Sequence, residues 1–306
     1  MALSIGIDVG GTNIRFGVFN QTQLIDEVRL ESNLSRLCGE LLPEHASYEI
    51  VRILSSGIIN VIEKGYTIQS VGIGFPGFID PDSKKIIASP NLPGLSYFNL
   101  AGELCRILGL PFTLENDANA AAYGEYILAG KPEGGLICIG LGTGVGGGLV
   151  LNGQIFPGQH GCAMEVGHLI IESNGRQCGC GNKGCMEQYA SASGISISYF
   201  NATQKKLNAA QIFNLASEGD KHAIAAYLLA ANALAQALAS IAKVVDVKNV
   251  VIGGGVSGAW PLMKQTFTQR FEADLISVLR STIQIKISNA NDKAGMLGAA
   301  MLSMES

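Results

Sequence analysis

Apolar residues in this chain recur with two different periods, and the switches between them mark its elements. From Ile5 to Val9 aliphatic side chains fall on alternate positions. Glycines follow at 10 and 11, and a second apolar run leads from Ile14 to Phe19. Period 2 interrupted by glycine predicts a strand, a tight turn and a second strand. Residues 137–151 repeat the shape: Ile137-Cys-Ile-Gly-Leu141, a cluster of glycines from 142 to 148, then Leu149-Val-Leu151. Each half then offers another strand ending in glycine, Ser70-Val-Gly-Ile-Gly-Phe-Pro-Gly77 and Asn249-Val-Val-Ile-Gly253-Gly-Gly-Val256. Between them the period lengthens to that of a helix, with Ile50, Ile53, Leu54, Ile58, Val61 and Ile62 on one face. The pattern predicts a duplicated α/β unit. Two mixed sheets would face each other over a cleft, each offering it a glycine hairpin.

These hairpins do not match the two commonest nucleotide motifs. A dinucleotide fingerprint needs a helix directly after its glycines, whereas Leu149-Val-Leu151 reads as a strand. No Gly-Lys-Ser/Thr ending is present. What remains is either two ordinary tight turns or two hairpins whose backbone N–H groups cradle phosphate. Their equivalent places in a repeat favour the second.

Composition narrows the class. The chain has 306 residues, 47% hydrophobic and 15% charged, with 39 glycines and a net charge of −4. That describes a core-rich globular protein, and the absence of long basic runs argues against a nucleic-acid surface. Residues 223–242 are nearly uncharged and long enough to cross a bilayer. Asn232, Gln236 and Ser240 lie four apart and form one polar stripe on a helix. A buried core helix is the expectation, with a cytoplasmic protein, no signal peptide and no membrane contact.

The most specific chemistry lies in Glu165-Val-Gly-His168 and Cys178-Gly-Cys180-Gly-Asn-Lys-Gly-Cys185-Met-Glu187. Three cysteines and a histidine can close one tetrahedral Cys3His zinc site. Buried thiols and a disulfide are the alternatives. Glycines at 179, 181 and 184 favour a tight loop over a core strand, and seven cysteines with no leader favour a reducing compartment. A structural zinc held by His168, Cys178, Cys180 and Cys185 is the reading adopted.

With these motifs in view the chain resembles the ROK family of bacterial sugar kinases, within the actin-like (ribonuclease H-like) ATPase fold. The resemblance runs through Asp8-x-Gly-Gly-Thr12-Asn, Pro90-Asn91-Leu-Pro93, Glu115-Asn116-Asp117-Ala-Asn119, Leu141-Gly-Thr-Gly-Val-Gly-Gly-Gly, Glu165-x-Gly-His168, the cysteine cluster ending in Glu187, and Gly253-Gly-Gly-Val. It implies two domains around a cleft: residues 1–116 plus 293–306, and 117–292 with the zinc loop. A last helix from Asp292 to Ala300 returns to the first. It implies Asp117 as general base for a sugar's primary hydroxyl, although Asp117 also opens the expected helix 118–129 and is a good N-cap. Asn91, Asn116, Asp117, Glu165, His168 and Glu187 would hold the sugar. Asp8, Gly10, Gly11 and Thr12 would hold phosphate and Mg2+, Thr143 and Gly144 would hold phosphate, and Gly253, Gly254 and Gly255 the adenosine of ATP. Only the first hairpin carries an acid, since Gly140 stands where the repeat places Asp8. The resemblance also implies a homodimer and closure on the sugar. In one departure, Met164 stands where the family carries a small residue, beside Glu165.

The expected activity is ATP-dependent phosphorylation of a hexose, glucose first. Fructose, mannose, allose and N-acetylated amino sugars are the alternatives. A sugar-sensing repressor would carry an N-terminal helix-turn-helix, for which the start at Ile5 is expected to leave no room. An actin-like ATPase for assembly or chaperoning would have no use for the zinc loop.

Overall fold

The computed structural model describes residues 3–290 and 293–305. Asp292, expected to begin the last helix, lies outside the described residues. The first half of the chain gives β1 (Leu3–Val9), β2 (Asn13–Asn20), β3 (Gln23–Glu31), α1 (Leu34–Glu40), α2 (Pro43–Glu63), β4 (Ile68–Phe75), β5 (Phe78–Ile79), β6 (Ile86–Ala88), β7 (Ser96–Phe98), α3 (Leu100–Leu108), β8 (Phe112–Asn116) and α4 (Asp117–Leu128). The rest gives β9 (Leu136–Leu141), β10 (Val145–Leu151), β11 (Gln154–Ile155), α5 (Glu187–Ala190), α6 (Ala192–Thr203), α7 (Ala209–Ser217), α8 (Lys221–Val245), β12 (Asn249–Gly253), α9 (Trp260–Asp274), β13 (Gln284–Ile287) and α10 (Ala294–Glu305).

The duplication is visible in the strand orders. One sheet runs β3-β2-β1-β4-β8 and the other β11-β10-β9-β12-β13. β9 takes the place of β1, β10 of β2 and β12 of β4. In each, a parallel strand lies beside the hairpin's first strand: Asp8 pairs with Gly74 and Gly140 with Gly253. Asp8 and Gly140 are each the penultimate residue of their strand, so the acid is confined to the first hairpin, as expected.

The described chain forms two compact units, Met1–Glu133 with Gly148–Ala163 and Ala290–Ser306, and Gly134–Gly147 with Met164–Asn289. The expected boundary placed α4 in the second unit; it belongs to the first. The reason is α10. A Cβ on Gly298 would stand 1.8 Å from the Ala120 carbonyl oxygen of α4. One on Gly6 would stand 1.8 Å from that of Met296, and one on Gly72 1.8 Å from that of Ala299. Glycine alone permits backbone to meet backbone at these points, and α10 thereby joins α4 to β1 and β4. On the opposite side of this sheet α2 begins with Pro43 and buries Ile50, Leu54, Ile58 and Val61 against Ile14, Phe16 and Val18. Its apolar face is narrower than the periodicity predicts, because Ile62 is exposed.

In the second unit α8 is the core helix that its composition predicts. Among the described residues it alone is long and apolar enough to cross a membrane, and Ala230, Ala231, Leu234, Ala235, Leu238 and Ala242 are buried. Of its polar stripe, Gln236 serves packing: it donates Nε2–H to the Ile171 carbonyl (2.9 Å) and accepts from Arg270 of α9 (3.1 Å). Asn232 and Ser240 bond back to the carbonyls of Leu228 and Gln236 on the same helix.

Candidate functional site

In the second unit the loop from 165 to 187 gathers four soft ligands. His168, Cys178, Cys180 and Cys185 offer ligand atoms that all lie within 4.8 Å of one another. His168 Nδ1 is 3.6 Å from Cys178 Sγ, and Cys180 Sγ is 3.6 Å from Cys185 Sγ. Ligands at tetrahedral corners around zinc stand about 3.7 Å apart at Zn–S distances near 2.3 Å, so the donor set fits zinc. Burial pushes the Cys185 thiol up to about 12, while the Asn182 backbone N–H lowers Cys180; metal entry therefore displaces protons. Gln188 donates to Cys178 Sγ (3.6 Å), an outer partner of the type that orients a metal ligand. Cys178, Cys180 and Cys185 stand as free cysteines in this loop.

Arg176, absent from the sequence reading, anchors this loop. It donates to the carbonyls of Gln188 (2.6 Å) and Gly194 (3.0 Å) and to Ser198 Oγ (3.0 Å), and its guanidinium lies 4.5 Å from the Tyr189 ring centre. No periodicity marks it. Its partners lie 12 to 22 residues downstream on α5 and α6.

Glu165 sits at the centre of a tight bend. The Val166 N–H reaches back to the Met164 carbonyl (2.6 Å), with Glu165 at φ −68°, ψ 53°, values of an inverse γ-turn. A 3-10 turn over Val166–His168 then sets Glu165 and His168 side by side, with Oε2 3.7 Å from Nε2. One histidine nitrogen thus faces the thiols and the other a carboxylate. Burial pushes the Glu165 carboxyl up from its ordinary value; His168 opposes this, and the charge of Glu187 adds to it. Met164 enters the bend at φ 63°. This left-handed conformation costs a side-chain-bearing residue roughly 1–3 kcal/mol.

Glu187, at the start of α5, turns to the second hairpin. Its Oε2 accepts the Val145 N–H at 2.9 Å, and a Cβ on Gly144 would stand 2.4 Å from that oxygen. Thr143 is exposed and its carbonyl accepts from Ser193 Oγ (2.9 Å). At the end of β12, Gly254 adopts φ 82°, and a Cβ there would stand 2.4 Å from the Leu141 carbonyl oxygen. Gly253 to Gly255 therefore lie beside the hairpin and lead through a 3-10 turn, Gly255–Ala259, into α9.

The first unit holds the other residues. The hairpin of Asp8, Gly10, Gly11 and Thr12 is closed by the Gly10 N–H on the Asn13 carbonyl (2.9 Å). The Asp8 carboxylate lies against the first turn of α10, 3.4 Å from the place of a Gly295 Cβ, where the helix dipole favours a negative charge. Asn91 is exposed in the turn after β6. At the β8–α4 junction the N-cap is Asn116, not Asp117. Asn116 has extended backbone (ψ 142°), and its Oδ1 accepts the Asn119 N–H (3.0 Å) while its Nδ2 donates to the Gly77 carbonyl (2.9 Å). Asp117 is the first helical residue, with Oδ1 on the Ala118 N–H (2.8 Å). Glu115 Oε1 braces the junction by accepting from the Asn116 N–H and Asn119 Nδ2, both at 3.0 Å.

Comparison with known proteins bears on this arrangement. The ROK family model matches residues 4–306. A glucokinase of Thermotoga maritima is 32% identical over 98% of this chain and 97% of its own. An N-acetyl-D-glucosamine kinase of Salmonella paratyphi B is 32% identical over 98% of both. The crystal structure of a ROK family glucokinase from Streptomyces griseus, in complex with glucose and AMPPNP, superposes with a TM-score of 0.82 at 30% identity, covering 100% of each chain. The fold is the duplicated actin-like ATPase fold of these kinases. Paired glycine hairpins, the Asn116-Asp117 junction and the Cys3His loop all lie within the matched length: this chain belongs to the ROK family.

Proposed function

We propose that the protein transfers the γ-phosphoryl group of ATP to the primary hydroxyl of a hexose, glucose first and an N-acetylated hexosamine second. The observation that carries this is the β8–α4 junction. Asn116 caps α4, so Asp117 is not the residue that caps the helix. It stands at the first helical position with Oδ1 on the Ala118 N–H, a place compatible with a role in chemistry. In the step itself the hydroxyl oxygen bonds to the γ-phosphorus, its proton passes to Asp117, and the bond from phosphorus to the ADP oxygen breaks. Asp8, with its single acid, suits the Mg2+ that neutralises charge on the triphosphate; Gly10 to Thr12, Thr143 and Gly144 suit phosphate oxygens, and Gly253 to Gly255 the adenosine.

Asn91, Asn116, Glu165, His168 and Glu187 are the proposed sugar ligands. Several rigid polar groups discriminate strongly between hydroxyl patterns. Zinc would fix His168 directly and Glu165 through it. A cytoplasmic homodimer completes the reading. Its test is a coupled assay of ADP formation with ATP against glucose, fructose, mannose, allose, N-acetylglucosamine and N-acetylmannosamine. Hexose-dependent turnover is the expected result. ATP hydrolysis indifferent to every sugar would overturn the kinase reading, and binding of sugar without turnover would favour a sensor.

A further inference from the structure

A row of charges crosses the first sheet at Asp8. In register, Asp8 of β1 stands opposite Arg15 of β2, and Arg15 opposite Arg29 of β3. Residues directly opposite in antiparallel strands project from the same face, with Cβ atoms about 4.5–5.5 Å apart. This is the face that α10 covers, since Gly6 and Gly17 on the same strands meet Met296. Two guanidinium groups directly opposite each other destabilise a sheet. Here Glu27 relieves the conflict: its Oε1 accepts from Arg15 Nε (3.1 Å) and from Arg29 Nε (2.7 Å). The Arg15 side chain is only 13% exposed, whereas that of Arg29 is 68% exposed. Burial pushes the Glu27 carboxyl up, but the bonds from Arg29 and Arg15 outweigh it and hold the group ionised.

A scaffold position on β2 does not require this. A valine or threonine would fill it without a buried cation or a bridging carboxylate. What the arginine adds is a positive charge beside Asp8, on the strand that leaves the phosphate hairpin.

We infer that Arg15 is a positioning residue for Asp8, braced by Glu27 and Arg29, which fixes the Asp8 carboxylate for the metal–nucleotide complex. This rests on the kinase reading for its substrate but not for its test. Full-length Arg15→Met keeps the stem and removes the guanidinium. The expected result is a kcat lower by about tenfold to a hundredfold, the scale on which misplacement of a reacting group is felt. The KM for Mg·ATP should rise with the sugar KM unchanged within about twofold, and Arg15→Lys should recover part of the loss, since it keeps charge but not the fork.

Should the methionine variant not fold, Arg15→Lys carries the test alone, with a kcat reduced at least about threefold at wild-type sugar KM. Wild-type kcat and Mg·ATP KM in a folded variant would overturn the inference. So would a sugar KM that rises in proportion to the loss, since that marks general damage to the scaffold. Calorimetric titration with Mg2+ and AMPPNP separates the two readings: if no hexose is phosphorylated by the wild type, weakened nucleotide binding in Arg15→Met still supports the placement, and unchanged binding refutes it.

Discussion

Replacing Asp117 with Asn separates chemistry from scaffold, and the structure sets the size of each effect. Asparagine keeps the Oδ1 that accepts the Ala118 N–H at 2.8 Å. The cap is untouched, because Asn116 provides it. The loss to stability is the favourable placement of one negative charge in the first turn of α4, about 0.3–1 kcal/mol, and a melting shift of no more than a few degrees. Loss of a general base costs about 10²- to 10⁴-fold in turnover, roughly 3–5 kcal/mol. Steady-state kinetics with saturating hexose and ATP, paired with a thermal melt, should show turnover collapsing while the melting temperature and sugar affinity hardly move. Asn116→Ala gives the opposite balance in stability: it loses the bonds to Asn119 and Gly77 and should cost about 1–3 kcal/mol. Turnover above about a tenth of wild type in Asp117→Asn would refute the assignment, since no general base is that dispensable.

Protein purified without added metal should carry one equivalent of zinc by elemental analysis, and chelation should lower the melting temperature and the sugar affinity together, because Glu165 leans on His168; finding no zinc would dismiss the site. Gly298→Ala places a methyl group 1.8 Å from the Ala120 carbonyl oxygen, an overpacking worth about 1–3 kcal/mol or more, so an unaltered melting curve would contradict the packing of α10. Asp26 bonds Lys64 Nζ at 2.6 Å, which lowers its carboxyl below the ordinary 3.8. Its stabilisation is therefore fully present above that value and fades as pH falls through the lower folded one. Asp26→Asn should cost less than about 1 kcal/mol at neutral pH, with the two melting curves converging in acid; a gap that widens in acid would reverse the sign.

Much of this was legible because a few patterns are physically overdetermined. Alternating aliphatics flanking glycine have few folds open to them, so β1, β2, β9 and β10 follow directly, and three cysteines with a histidine at close spacing have few uses outside a metal site. Other features were hidden for stated reasons. β3 is an edge strand with exposed Gln23, Ile25 and Glu31, so alternation in its polar sequence is weak. Asn116 and Asp117 are both good caps, and only the backbone angles decide between them. The unit boundary was misplaced because α4 is claimed by a helix that follows it by some 170 residues. Arg176 and Glu187 act through partners far along the chain, as Val145 does for Glu187, and no local pattern records that.

That late helix has a consequence for how the chain is made. α10 seats its backbone on Gly6, Gly72 and Gly124, yet it is synthesised well after all three. The first sheet therefore waits, with the face meant for α10 uncovered, while the whole second unit is translated. Contacts of such sequence separation are slow to form and leave apolar surface open to aggregation. Deletion of α10, Ala294–Glu305, should thus be felt first as poor solubility during expression, and only secondarily as lost activity.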